Sequence, residues 1–304
     1  MKHYLITGGC GFIGGHLAHE LSAAGHRVTV LDDFSSGRED NAPPEARIVR
    51  GCVTDGALLS ELAGTCDGIV HLAAIASVEA AADDPERAVA VNVGGTRNAL
   101  AAARSGNIPL VYASSAAVYG DAGARRVRES DRCAPISDYG AQKLECEREL
   151  RGIGPLATIV RPFNVYGPRQ HPASPYSGVI ARFIALCRTG EPLRINGDGS
   201  QSRDFVYIAD IVRLLTAALK REAGEPLTVN GCTGQTVTVL ELAGAIAAAC
   251  GTEPDIRHGP ARAGDILHSC GDPDLAAASL GFKARTPLDA GLRETVAWQR
   301  GTDQ

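Results

Sequence analysis

Over the first half of this 304-residue chain, short apolar segments alternate with helical ones, a glycine-rich turn follows the first segment, and a carboxylate closes the next. These three observations predict an α/β fold: a doubly wound parallel sheet covered on both faces, followed by a smaller C-terminal α/β domain. Residues 4–7 read as a short buried strand and 12–24 as a helix, with Ile13, Leu17 and Leu21 at helical spacing. Residues 27–32 and 47–51 are the next two strands, and 68–73 a fourth. One long alanine-rich helix is expected over 85–104, with Asp84 as its N-cap and Pro85 at the first position, where no backbone donor is needed. A strand over 110–114, a helix over 137–151 and a strand over 157–161 complete the alternation.

The pattern fades after Asn164. Proline, glycine and serine are dense through 168–178, and glycine recurs through 197–202 and 258–264. Helices are expected over 179–188, 208–219, 239–249 and 288–300. A boundary near residue 163 divides the chain into 1–163 and 164–304.

Composition excludes several classes of partner. The net charge of -5 offers no attraction to nucleic acid or an anionic membrane surface. No apolar run approaches the roughly 18 residues of a membrane span. The glycines from Gly8 onward interrupt the opening apolar stretch before a signal peptide could form, so a cytoplasmic protein is expected. The nine cysteines are scattered with no Cys-x-x-Cys pair, which points to buried free thiols rather than a disulfide framework or a metal site.

Gly8, Gly11 and Gly14 fall between the first strand and the first helix, which Phe12 and Ile13 open. Glycines at this spacing allow a tight turn, let the backbone approach a pyrophosphate, and bring the helix N-terminus to it. Asp32 ends the second strand about twenty residues on, where a carboxylate binds both ribose hydroxyls of an adenosine. A 2′-phosphate would meet that charge, so NAD is expected rather than NADP. Asp55 either approaches the adenine or caps a helix over 56–63.

Tyr139 and Lys143, four apart near the start of a helix, share one face. A free tyrosine, with a pKa of about 10, is a poor base at neutral pH; a nearby ammonium and a positive nicotinamide favour its phenolate. The pair suits removal of a hydroxyl proton while the same carbon is oxidised. Ser114 and Ser115 end the preceding strand, at the sheet edge where an open α/β fold places its ligand.

With these residues in order, the chain resembles the extended short-chain dehydrogenase/reductase family. The likeness rests on Gly8–Gly14, Asp32, His71-Leu72-Ala73-Ala74, Asn92, the run from Ser114 to Gly120, and Tyr139 with Lys143. It continues through Arg161-Pro162-Phe163-Asn164-Val165-Tyr166-Gly167-Pro168, Gly197-Asp198-Gly199, Arg203-Asp204-Phe205-Val206-Tyr207 and Arg262-Ala263-Gly264-Asp265. Within the family it is most similar to UDP-hexose 4-epimerases, particularly those acting on N-acetylated sugars.

The resemblance implies a Rossmann-type NAD-binding domain over 1–163 and a nucleotide-sugar-binding domain over 164–304. Ser115 would bond the sugar 4-hydroxyl, Tyr139 would act as base and then acid, and Lys143 would tune it and hold the nicotinamide ribose. Ser114, Asn92 and the Leu72, Ala73 and Ala74 backbone would line the cofactor. Asn164, Arg203, Arg262 and Asp265 would hold the UDP diphosphate, for which arginine forks are natural partners. A homodimer through the helices over 85–104 and 137–151 is also implied, by analogy alone.

Two positions depart from the family pattern. The loop near Ala76-Ser77 lacks a lysine seen in some hexose 4-epimerases, and Ala263 stands where proline is common. Ala116 and Ala117 follow the catalytic serine where the family's dehydratases carry an acidic pair and its decarboxylases a glutamate. Alanines do no acid–base chemistry, which leaves epimerisation, with a reductase or dehydratase of the same family as the alternative. A catalytically silent dinucleotide-binding sensor is the non-enzymatic reading, opposed by the joint presence of Ser115, Tyr139 and Lys143. Ser269, four residues past Asp265, falls where related epimerases set room for the C2 substituent. With 174–180 it looks most like enzymes handling UDP-GlcNAc and UDP-GalNAc.

Overall fold

A computed structural model describes residues 1–76, 81, 83–152, 156–170, 178–222, 224–261 and 266–301. The first half alternates as expected: β1 (His3–Thr7), α1 (Phe12–Ala23), β2 (Arg27–Asp32), β3 (Arg47–Arg50), α2 (Gly56–Ala63) and β4 (Gly68–His71). Then come β5 (Leu110–Ala113), α5 (Asp138–Arg151) and β6 (Ala157–Pro162), preceded by two short helices, α3 (Pro85–Val89) and α4 (Gly95–Gly106). Every residue of β1, β4, β5 and β6 is buried, as strands covered by helices on both faces must be. All pair in parallel, in the order β11-β6-β5-β4-β1-β2-β3, where β11 is Leu227–Gly231. The direction of winding changes between β1 and β4, which opens a crevice at their carboxyl ends.

The single helix expected over 85–104 is interrupted. Asp84 caps it as read, accepting from the Arg87 N–H at 3.0 Å, but Ala90–Gly94 form a π-turn between α3 and α4. An alanine-rich sequence carries no mark of the extra residue in that turn. Asn92 lies at its centre, with its side chain bonded elsewhere in the fold.

The remaining elements are β7 (Asn164–Tyr166), α6 (Val179–Thr189), β8 (Leu193–Asn196), β9 (Ser202–Arg203), β10 (Phe205–Tyr207) and α7 (Ile208–Leu219). After β11 follow β12 (Val237–Thr238), α8 (Val239–Cys250), β13 (Ile256–Gly259), β14 (His268–Ser269), α9 (Asp274–Leu280) and α10 (Leu288–Gly301). The short strands pair into three small sheets, β10-β7, β12-β9-β14 and β13-β8; two to four residues are too few for an alternating pattern to be read in advance. The chain also crosses the division expected at residue 163. α7 packs its apolar face on α1 and on β4 to β6, and β11 extends the large sheet beside β6. The core lies on both sides of that sheet, one cluster shared with the second half and one under α2, α4 and α5.

All nine cysteines are free thiols, seven of them buried. Among the described residues no group of three His, Cys, Asp or Glu could hold a metal ion, and no helix is long and apolar enough to cross a membrane.

Candidate active site

A cleft of about 1120 Å³ runs along the carboxyl ends of the strands, lined by Gly8, Gly11, Phe12, Ile13 and Gly14 and by Asp32. Its floor admits only glycine at two points. Gly8 has φ +68°, and a Cβ there would lie 2.8 Å from the Ala73 nitrogen; a Cβ on Gly14 would lie 2.2 Å from the Gly8 carbonyl oxygen. α1 begins at Gly11 with no side-chain cap and no acidic residue in its first turn, so its leading N–H groups stay available to a phosphate. Asp32 is buried, and accepts from the Cys10 and Phe34 backbone N–H groups, each at 2.9 Å. Burial raises its carboxyl pKa, and those two bonds oppose the rise. Arg38, which also lines the cleft, is paired with Asp40 at 3.2 Å. The glycine cradle, the open helix terminus and the Asp32 carboxylate fit a non-phosphorylated dinucleotide.

Of the two readings left open for Asp55, the structure supports the cap. Its carboxylate accepts from the Leu58 N–H at 3.0 Å, and Gly51, Cys52 and Val53 line the cleft beside it instead. Leu72, Ala73 and Ala74 line the opposite wall together with Ile75 and Ala76. Asn92 acts behind that wall. Its carboxamide bonds both the N–H and the C=O of Ile75, at 2.8 and 3.1 Å, and donates to Gln142 of α5 at 2.7 Å, so it ties the loop to the helix of the reacting tyrosine. His71 supports the same loop. It lies between the hydroxyls of Thr7 (2.7 Å) and Thr96 (3.1 Å), stacked on Tyr112, and burial lowers its pKa to about 3.

Tyr139 and Lys143 face the cleft from the first turns of α5, which Ser137 caps by accepting from the Gly140 N–H at 3.1 Å. The Lys143 ammonium donates to the Ala113 carbonyl at 2.7 Å and lies 4.7 Å from the Tyr112 ring centre and 5.7 Å from that of Tyr139. Burial lowers the Lys143 pKa to about 8 and pushes Tyr139 up to about 12, while a hydrogen bond with Ser115 pulls Tyr139 down. In the protein alone the phenol is therefore protonated. Burial outweighs the acidification expected from Lys143, and a further positive charge is needed to draw the proton away.

Ser115 accepts from the Ala117 N–H at 3.1 Å, which leaves its own proton to donate. Ser114 spends its hydroxyl on Glu147 at 2.6 Å. Glu147 was not legible as functional, although its place four residues after Lys143 on the buried face of α5 was a signal. It also holds Arg161 through two bonds of 2.8 and 2.6 Å, and Arg161 in turn donates to Tyr119 at 2.8 Å.

In the second half, Asn164 and Arg203 reach the cleft. The Asn164 side chain donates to the Asp204 carbonyl at 2.9 Å; Arg203 donates to the Ser202 carbonyl at 2.9 Å. Ser269 is the register partner of Arg203 across β14–β9, and is not among the described residues that line the cleft. Arg262, Ala263, Gly264 and Asp265, as well as Ser77 and 171–177, lie outside the described residues. Two cleft residues, Arg169 and Gln201, had carried no motif of their own.

A model of the NAD dependent epimerase/dehydratase family matches residues 4–230. The chain belongs to this family. NAD is accordingly the cofactor of this NAD dependent epimerase/dehydratase, and the cradle, helix terminus and carboxylate described above fit it. A UDP-glucose 4-epimerase of Mycolicibacterium smegmatis is 36% identical over 312 residues, covering 99% of each chain. A UDP-N-acetyl-alpha-D-glucosaminuronate decarboxylase of Bacillus cytotoxicus is 32% identical over 98% of each. Among solved structures, the UDP-N-acetylglucosamine 4-epimerase of Methanobrevibacter ruminantium M1, in complex with UDP-N-acetylmuramic acid, superposes with a TM-score of 0.93 at 32% identity, over 99% of each chain. Family members thus share a fold and a cofactor and differ in reaction, so the choice among reactions rests on side chains in the cleft.

Proposed function

We propose that this chain is a 4-epimerase of UDP-hexoses, acting on UDP-GlcNAc/UDP-GalNAc and on UDP-glucose/UDP-galactose. The observation that carries the reading is the cluster of Ser115, Tyr139 and Lys143 at one point of the cleft, followed by Ala116 and Ala117, which can neither donate nor accept a proton. NAD supplies the oxidation and re-reduction at C4. Tyr139 takes the 4-hydroxyl proton and later returns it, Ser115 donates to the same oxygen, and Lys143 holds positive charge beside the phenolate. The positions following Ser115 offer no second acid–base group for dehydration, which favours return of the hydride to the 4-keto sugar, on either face. Asn164 and Arg203, with Arg262 and Asp265, hold the UDP diphosphate in this reading.

Room for an N-acetyl group is inferred at position 269. Serine is small there, and its strand neighbour Arg203 lines the cleft. Incubation with UDP-glucose, UDP-galactose, UDP-GlcNAc and UDP-GalNAc, with chromatographic separation of the products, tests the proposal. All four should be epimerised, and no turnover of any would remove it. Ser269→Tyr should abolish conversion of UDP-GlcNAc and spare UDP-glucose; equal loss on all four substrates would show that residue 269 does not face C2.

A further inference from the structure

Just after β7, Arg169 has φ +67°, a left-handed backbone conformation that side chains other than glycine rarely adopt. The segment is pinned to the opposite side of the cleft at two points. His16 of α1 donates through Nε2 to the Pro168 carbonyl at 2.9 Å, and Arg169 donates through Nη1 to the Asn41 carbonyl at 2.9 Å. Asn41 is itself part of the glycine loop's support, since its Nδ2 donates to the Cys10 carbonyl at 2.9 Å. Gly15 makes this seating possible: a Cβ there would lie 2.6 Å from the Asn41 carbonyl oxygen.

Arg169 is half-buried, lines the cleft, and has no carboxylate within ion-pair distance among the described residues. Its charge is felt along α1, where burial holds the His16 pKa down and Arg169 adds to that effect. A cation held in a strained conformation on the cleft wall, with no ion pair among the described residues and only the longer-range charge of Asp40 facing it, is placed to meet an anion.

We propose that Arg169 is a cross-cleft latch for the cofactor, reaching from the second half of the chain to hold the NAD pyrophosphate against the Gly8–Gly14 loop. The inference rests on NAD binding alone and not on which sugar is epimerised, so the two can fail separately.

Because φ is positive at Arg169, glycine is the residue its backbone prefers, and Arg169→Gly removes the side chain while relieving the turn. Protein loaded with NADH is chased with excess NAD⁺, and release is followed by the loss of bound NADH fluorescence. Arg169→Gly should release NADH faster by about 10-fold, the loss of a charge-assisted bond, with an unchanged or higher melting temperature. Arg169→Lys should retain most of the slow release. Added KCl should speed release from the wild type and from Arg169→Lys, and have little effect on Arg169→Gly, a comparison that holds even if a variant melts lower. Release from Arg169→Gly within about twofold of wild type, or the same acceleration and salt response in all three proteins, overturns the proposal.

Discussion

Tyr139 and Lys143 were legible as a pair, yet the structure divides their roles differently from a simple charge argument. Burial moves each towards its neutral form, Tyr139 up to about 12 and Lys143 down to about 8. Tyr139→Phe keeps the ring and removes the proton acceptor, so conversion should fall by at least about 10²-fold with the fold intact by circular dichroism. Lys143→Ala removes the positive charge beside the phenol, which should disfavour the phenolate. Activity should fall and its pH optimum move to higher pH; an optimum that stays in place would separate Lys143 from the tuning of Tyr139. Asp32 is tested by the nucleotide the protein carries. Denatured wild type should release NAD(H), and Asp32→Ala should weaken the discrimination against NADP in a binding titration.

The π-turn at Ala90–Gly94 is where a helix gives way to the needs of a site. There Asn92 satisfies both backbone groups of Ile75 and reaches Gln142, so that the Leu72–Ala76 wall and α5 are tied together. Asn92→Ala leaves three buried partners unpaired, each worth about 1–3 kcal/mol. The melting temperature should drop by several degrees and NAD affinity with it, and Asn92→Asp should lose at least as much, because its buried carboxylate keeps the Ile75 N–H bond but faces the Ile75 carbonyl and the Gln142 oxygen. Thermal melts and NADH titration of the two variants, compared side by side, read this out.

Buried neutral histidine shapes the pH response of the whole molecule. His71 has its folded pKa lowered to about 3, while in the unfolded chain it titrates near 6.5. Between those values the unfolded chain binds a proton that the folded one refuses, so stability falls as pH drops through this window, by about 1.4 kcal/mol per pH unit for one group. His16, also lowered by burial, acts in the same direction. Denaturant melts at pH 7 and pH 4.5 should show the loss, and His71→Gln should show a smaller difference from a lower starting point. At the same scale the product decides the reaction. No UDP-4-keto-6-deoxy sugar should accumulate from any UDP-hexose, and a product lighter by one water in mass spectrometry would mean that a second acid–base pair lies elsewhere in the cleft.

The alternation of strand and helix, and the placing of Gly8–Gly14, Asp32, Ser115, Tyr139 and Lys143 along one cleft, were determined by sequence alone. Each lies within one strand–turn–helix unit or one helical turn, where spacing along the chain sets position in space. Only the tertiary structure decided the rest. The role of Asn92 depends on Ile75 and Gln142, that of Glu147 on Ser114 and Arg161, and that of Arg169 on Asn41, partners 14 to 128 residues apart. The return of α7 and β11 to the first-half sheet is of the same kind, because a strand can complete a sheet edge or a helix cover its face from any distance along the chain. Contacts between distant segments are selected by packing and buried hydrogen bonding, and neither leaves a period or a motif in the sequence.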